Sequence, residues 1–111
     1  MQVHLVPCLS DNYCYLLHQP GSTDAIVVDA SEDAPVLQAL EKLGLNPLAI
    51  LATHHHPDHV GGNLGVLQRF PNARVFGYRT DKGRIPGQTD LLDDKQEFDV
   101  AGIGVKALHI P

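Results

Sequence analysis

Four side chains able to hold a metal ion fall within a single short run, Thr53-His54-His55-His56-Pro57-Asp58-His59: His54, His56, Asp58 and His59. Imidazole with carboxylate suits zinc, iron or manganese and disfavours calcium or magnesium. A catalytic zinc usually takes about three protein ligands and keeps one position for water. Four ligands packed this tightly suggest two adjacent metals sharing a site, each completed from elsewhere. In an extended turn, residues i and i+2 point to the same side. His54 and His56 then face one pocket, while His55 faces away and packs or supports the ligands. Asp58 and His59 lie past Pro57, whose fixed φ and missing N–H suit a helix entry, so they approach from another direction. The plain alternative is a polar histidine tract on a solvated loop. The apolar run before it and the Gly61-Gly62-Asn63 after it weigh against that reading.

These ligands need a scaffold, and the flanking sequence predicts one. Leu48 to Ala52 reads as a buried strand, and Asn63 to Phe70 as a helix whose face is Leu64, Val66, Leu67 and Phe70. The ligands therefore sit at the carboxyl end of a strand, where open α/β sheets place their sites. Upstream, Ala25 to Val28 is a short apolar strand ended by Asp29. Ser31, Glu32 and Asp33 offer caps and negative charge for a helix start. Val36, Leu37, Leu40 and Leu43 follow at helical spacing, with Pro35 in the first turn and Gly44 as the stop. This strand–helix–strand unit predicts parallel strands with a right-handed crossover. Gln2 to Val6 and Tyr13 to Leu17 read as strands about a turn at Pro7 to Asn12, and Gln19-Pro20-Gly21-Ser22 is a second turn. Together they make an amino-terminal meander. Past Pro71-Asn72, Arg74 to Tyr78 is a further strand. Arg79 to Leu92 reads as a long polar connection, with Arg79, Asp81, Lys82 and Arg84 solvated. Lys95 to Val100 and Ile103 to Ile110 flank Gly102 as a hairpin.

Composition bounds the reading. At 111 residues and 43% hydrophobic, the chain is one globular domain or part of one. A net charge of -5 and the lack of a Lys/Arg run argue against nucleic acid as a partner. No apolar run approaches membrane-spanning length, and no basic segment leads into an apolar one at the amino end. The expectation is a soluble, cytoplasmic protein. Cys8 and Cys14 are the two cysteines; without a Cys-x-x-Cys they are expected as free, partly buried thiols rather than a zinc knuckle or a bridge.

The run Thr53 to His59 resembles the signature of the metallo-β-lactamase superfamily. Within it, Leu5 to Leu16, the passage from His54 through Val60-Gly61-Gly62-Asn63, and Gly83-Arg84-Ile85-Pro86-Gly87-Gln88-Thr89 resemble glyoxalase II, the hydroxyacylglutathione hydrolases. The resemblance implies an α/β fold, the αββα sandwich of that superfamily. Residues 1–111 would supply its amino-terminal half as a partial domain, a mixed sheet with two helices, lacking the carboxyl-terminal remainder and the helical substrate domain. It implies hydrolysis of S-D-lactoylglutathione and similar thioesters to a 2-hydroxy acid and glutathione, as in methylglyoxal detoxification. The cofactor implied is two Zn2+ per complete domain, with iron or manganese possible. In roles, His54 and His56 would bind the first metal, and Asp58 and His59 the second. Asp58 would also orient a metal-bound hydroxide, which two metals can generate at a pKa near ~7. The implied partner is a small-molecule glutathione thioester, with no nucleic acid or membrane, and the complete enzyme is expected to be a monomer.

In that family, Asp29 is structural rather than a ligand, and Ala30 departs from the family's usual following residue. Asp11-Asn12-Tyr13 either lies at the mouth of the site or simply ends a hairpin. The family's next ligand lies two residues past a proline matching Pro111, so His109 is a strand residue and not a substitute ligand. His4 and His18 read as structural. Two other readings stand beside the thioesterase: a persulfide dioxygenase, lactamase or nuclease-type relative of the same fold, or a non-catalytic fragment. With two ligands per metal, residues 1–111 alone are expected to bind zinc weakly and to show no measurable thioester hydrolysis. Stoichiometric tight zinc in equilibrium dialysis, with normal turnover, would contradict that.

Overall fold

Side-chain alternation sorts one sheet into two unequal faces, and the helices take the richer one. The computed structural model describes residues 1–53 and 60–108. Its elements are β1 (Gln2–Cys8), β2 (Asn12–His18), β3 (Asp24–Val28), α1 (Asp33–Leu43), β4 (Asn46–Leu51), α2 (Asn63–Arg69), β5 (Arg74–Tyr78), β6 (Asp90–Leu92), β7 (Glu97–Val100) and β8 (Ile103–Lys106). Strands β1 to β6 form one sheet in chain order, and β7 with β8 a second of two strands. The first two pairings are antiparallel and the next three parallel. The meander and the strand–helix–strand unit are thus both present, as is the mixed sheet with two helices.

On the helix face, Val6, Cys8, Cys14, Leu16, Val27, Ile50 and Val75 pack with Val36 and Leu40 of α1 and Val66 of α2. On the other face, Ala49, Phe76 and Leu92 meet Phe98 and Val100 of the small hairpin and Ala107 just after it, with Phe76 and Phe98 stacked at 4.7 Å. Helix α1 stops as expected. Gly44 takes φ 67, its N–H reaches the Glu41 carbonyl, and the Leu45 N–H reaches Leu40 at 2.9 Å. That is the two-bond ending in which glycine supplies the left-handed residue. The β7–β8 turn is two residues long, with Ala101 at φ 55 and Gly102 at φ 74. Both central angles are positive, which matches the twist of the flanking strands.

Several boundaries differ from expectation. β1 runs on through Pro7 to Cys8. A proline is tolerated there because β1 is an edge strand. The stretch Arg79 to Leu92 is not all connection. It opens with a short 3-10 turn, Arg79–Asp81, and closes with β6, parallel to β5. Arg74 binds the Asp90 carboxylate, and the Thr89 hydroxyl accepts the Val75 N–H at 2.8 Å. Arg79, expected to be solvated, pairs with Asp93 on the surface at 2.9 Å. Lys95 has φ 66 and belongs to a turn, so β7 starts later than the alternation suggested. β8 ends at Lys106, and residues 109–111 lie outside the described residues. His4 and His18 join β1 to β2, Nε2 to Nε2 at 2.9 Å with nearly parallel rings, consistent with a structural role. Among the described residues no helix is long and apolar enough to cross a membrane.

Cys8 and Cys14 are both free and buried. Burial pushes both thiols up, Cys14 far up, with the neighbouring Cys8 and Asp29 adding to it. The thiolate is the reactive form. In the native protein at pH 8, iodoacetamide should label either residue at least about a hundredfold more slowly than free cysteine. Urea should remove that protection. Fast native labelling, read by mass spectrometry, would contradict the burial.

Candidate metal centre

Because β3, β4 and β5 run parallel, their carboxyl ends meet at one edge of the sheet: Val28 pairs with Leu51, and Leu51 with Phe76. The four candidate ligands, His54, His56, Asp58 and His59, follow Thr53 in the chain and lie outside the described residues, as do His55 and His109. What the structure does define is how the chain enters and leaves residues 54–59.

The entry is held by Asp29. Its carboxylate accepts the Thr53 N–H on Oδ1 at 2.8 Å and the Thr53 hydroxyl on Oδ2 at 2.6 Å. Its own N–H donates to the Leu51 carbonyl at 2.9 Å. Asp29 is buried, 7% exposed, and sits at φ 56. The left-handed region costs an ordinary residue about 1–2 kcal/mol, and Asp is among the few side chains that visit it routinely. The Ser31 N–H and hydroxyl both reach the Asp29 carbonyl, at 2.8 and 3.3 Å, closing the turn. Asp29 thus fastens the end of β4 to the end of β3.

The exit is held by the same turn. The Gly62 N–H donates to the Ala30 carbonyl at 2.7 Å. A Cβ on Gly62 would lie 2.6–2.8 Å from backbone atoms of Ala30, Glu32 and Asp33, so only glycine lets the two segments touch. Val60 and Asn63 are buried on either side. The Asn63 amide donates to the Pro86 carbonyl at 3.2 Å, which ties the start of α2 to the Arg84-Ile85-Pro86-Gly87 stretch.

A third segment is fastened to this turn. The Glu32 carboxylate accepts the Leu9 N–H at 2.9 Å, so the β1–β2 tip, where Leu9 has φ 54, is drawn to the same end of the sheet. Glu32 is the N-cap of α1 but makes no side-chain cap bond. The sequence offered Ser31, Glu32 and Asp33 as caps. Instead Ser31 closes its own turn, Glu32 holds the tip, and Asp33 Oδ1 accepts the adjacent Ala34 N–H. The double acceptance by Asp29 and the tight seat of Gly62 were not read from sequence. Their only signals were an aspartate directly after an apolar strand and the Gly61-Gly62 pair. Among the described residues, no three His, Cys, Asp or Glu side chains gather into a competing metal site.

A family model described as the metallo-beta-lactamase superfamily matches residues 9–109. A protein named hydroxyacylglutathione hydrolase from Synechococcus sp. (strain JA-2-3B'a(2-13)) is 50% identical over 111 residues, which is 100% of this chain and 44% of that protein. One of the same name from Acaryochloris marina is 46% identical, again over 100% of this chain and 43% of the relative. The chain thus spans less than half the length of these relatives. Among solved structures, the BLEG-1 B3 metallo-beta-lactamase superposes with TM-score 0.83 at 23% identity, over 99% of this chain and 62% of that one. ETHE1 from Myxococcus xanthus gives 0.72 at 21%, over 94% and 46%. At such identities the likeness is one of fold, and it agrees with the α/β architecture expected from the sequence.

Asp29→Asn keeps the tolerated backbone angle but leaves one acceptor where two are used. It should cost about 1–3 kcal/mol in urea unfolding. Asp29→Ala should cost more, because it also loses the side chain that tolerates φ 56. Thr53→Val should cost least, since its N–H bond survives. A reversed order would show that the carboxylate is not what holds the strand end.

Proposed function

The chain belongs to the metallo-beta-lactamase superfamily, and we propose that its 54–59 turn loads the metal pair of a hydrolase acting on S-(2-hydroxyacyl)glutathione thioesters. The observation that carries this reading is the match over the whole of this chain, at 50% identity, to a protein named hydroxyacylglutathione hydrolase. The donor chemistry fits. Three imidazoles and a carboxylate within one turn suit zinc, and would also take iron or manganese. His54 and His56 would hold one ion, and Asp58 and His59 the other. When bound, the pair supplies Lewis-acid polarisation of a carbonyl and acidification of water toward neutral pH. In this reading residues 1–111 form the metal-loading part of the hydrolase domain.

The chain's own residues do the rest. Asp58 presents a carboxylate that can accept a proton from water and aim it. Asp29, through Thr53, keeps the strand end from moving while the ligands are loaded. Gly62 fixes the other end against Ala30. Neither cysteine competes as nucleophile, because both are buried with their thiols pushed up. Glutathione leaves as a thiolate, so no strong acid is required. The products are a 2-hydroxy acid and glutathione, as in methylglyoxal detoxification, and a reducing cytoplasm suits both the thiol product and the free cysteines.

The test uses the protein expressed from its complete reading frame and loaded with zinc. Loss of the thioester absorbance of S-D-lactoylglutathione should be fast. Asp58→Ala and His56→Ala should each lower kcat about a hundredfold or more. A β-lactam and glutathione persulfide should be poor substrates in parallel assays. Turnover of either of these without thioester hydrolysis would replace the proposal.

A further inference from the structure

Among the described residues three polar side chains are buried, Asp29, Ser31 and Asn63, and Asn63 is the most enclosed at 0% exposure. All three flank the ligand run in the chain or hold its ends. Asp29 and Ser31 belong to the turn that fastens Thr53, and Asn63 opens α2 four positions past His59. The Asn63 amide has a defined orientation. Its Nδ2 lies 3.2 Å from the Pro86 carbonyl oxygen, which can only accept, so the nitrogen faces Pro86 and Oδ1 points elsewhere. Pro86 is itself held in place. Ile85 beside it is buried, and Gly87 takes φ 75 where a Cβ would collide with Leu67 of α2. Oδ1 has no hydrogen-bond partner among the described residues. A buried amide oxygen without a donor loses its hydration and gains nothing in return, and native proteins contain few of them.

We infer that Asn63 is a positioning residue of the metal centre, its Oδ1 accepting the uncoordinated ring N–H of a ligand imidazole from the 54–59 run. This rests on the metal-loading reading above and not on the choice of substrate. Asn63 is already sealed from solvent within these 111 residues, so the missing donor is to be sought inside them. The described residues supply none. The 54–59 run is the neighbouring segment in sequence, and it carries four imidazoles. A histidine that binds a metal through one ring nitrogen carries a proton on the other. That N–H almost always meets a carboxylate, a carbonyl or water, which fixes the plane of the ring and raises its basicity. Both oxygens of Asp29 are already engaged by Thr53. Asn63 Oδ1 is the buried acceptor that has no such engagement. An amide oxygen also aims the ring without adding negative charge to the site.

The experiment uses the protein from its complete reading frame, with isotope-labelled histidine. Loaded with zinc, it should show an imidazole N–H resonance that exchanges slowly with water and has nuclear Overhauser contacts to the Asn63 side chain. Asn63→Ala and Asn63→Leu should erase that resonance and weaken zinc binding about 10–100-fold in competition with a chelating dye. Asn63→Asp keeps an acceptor and loses the donor to Pro86. It should hold zinc at least as tightly as the parent while unfolding at lower urea. A side chain that merely tied α2 to Pro86 would make the Asp and Ala variants lose zinc alike, and that result would overturn the inference. So would a slowly exchanging proton beside Asn63 that belongs to a main-chain N–H or to a trapped water. If the variants do not fold, the resonance and its contacts in the parent protein decide by themselves. Stoichiometric zinc in the parent with unchanged affinity in the Ala and Leu variants would defeat the role of Asn63 and leave the metal-loading reading standing. A parent protein that takes up no zinc would bring down both.

Discussion

The carboxylate of Asp29 is the interaction on which the site's architecture depends. It is a buried charged acceptor whose two oxygens are both engaged by one residue, Thr53. Hydrogen bonds to an ionised acceptor are shorter and roughly twice as strong as neutral ones. Two of them, at about 1.5–3 kcal/mol each, exceed the ~1–2 kcal/mol of backbone strain that φ 56 imposes. The strained angle is also what turns the side chain of a strand-terminal residue toward the end of the next strand. In an ordinary extended conformation the carboxylate would project from one face of the sheet.

The parallel arrangement of β3 and β4 makes that bond possible, and the crossover helix makes it useful. Parallel strands bring two carboxyl ends together, and the turn from β3 into α1 necessarily passes beside the turn leaving β4. Residues 29–33 are thus in reach of everything that leaves that edge. Asp29 takes Thr53, Ala30 takes Gly62, and Glu32 takes Leu9. Each contact engages a backbone N–H, so the fixation is of main chain and not merely of side chains. Only Gly62 allows the second contact. A methyl group there would push α2 off α1 and shift one end of the ligand run relative to the other. Five consecutive residues with no proposed ligand among them therefore set where the ligand run begins and ends.

How much of this could be read from sequence follows from the range of the interactions. The ligand run, the strand before it, the helix of Val36 and Leu40 and its Gly44 stop are local patterns, and the described ones lie close to expectation, except that β4 runs Asn46–Leu51 rather than Leu48 to Ala52 and that Leu43 and Leu64, expected on the helix faces, are 40% and 60% exposed. The metallo-β-lactamase resemblance is also carried by local motifs. What sequence did not reveal depends on distant partners. β6 is three residues long, too short for alternation to register, and it exists because β5 offers an edge and Arg74 and Thr89 fasten it. Pro7 reads as a turn former, yet β1 has a free edge that forgives its missing N–H. Glu32 reads as a helix cap, yet an orphan N–H on Leu9 outcompetes the helix terminus for it. Asp29 was identifiable as structural only through the family resemblance. Its two-pronged grip on a residue 24 positions away has no signature along the chain.

The two faces of the sheet bear on function in different ways. The helix face is closed: Cys14, Leu16, Val27, Val36, Ile50, Val66 and Val75 are fully buried, and it fixes the heights of the strand ends. The opposite face carries Leu51 and Phe76 toward the small hairpin and is only partly covered. Along β1 and β2 it leaves Val3, Leu5, Tyr13 and Tyr15 between 39% and 57% exposed. Thr53 shares the parity of Leu51 along the chain. The alternation of a single strand, β4, divides the strand end between the two faces: Ile50 lies in the closed core, and Leu51 packs on the hairpin side. A one-residue register slip of β4 would exchange those roles. The burial of Ile50 in the closed core opposes such a slip.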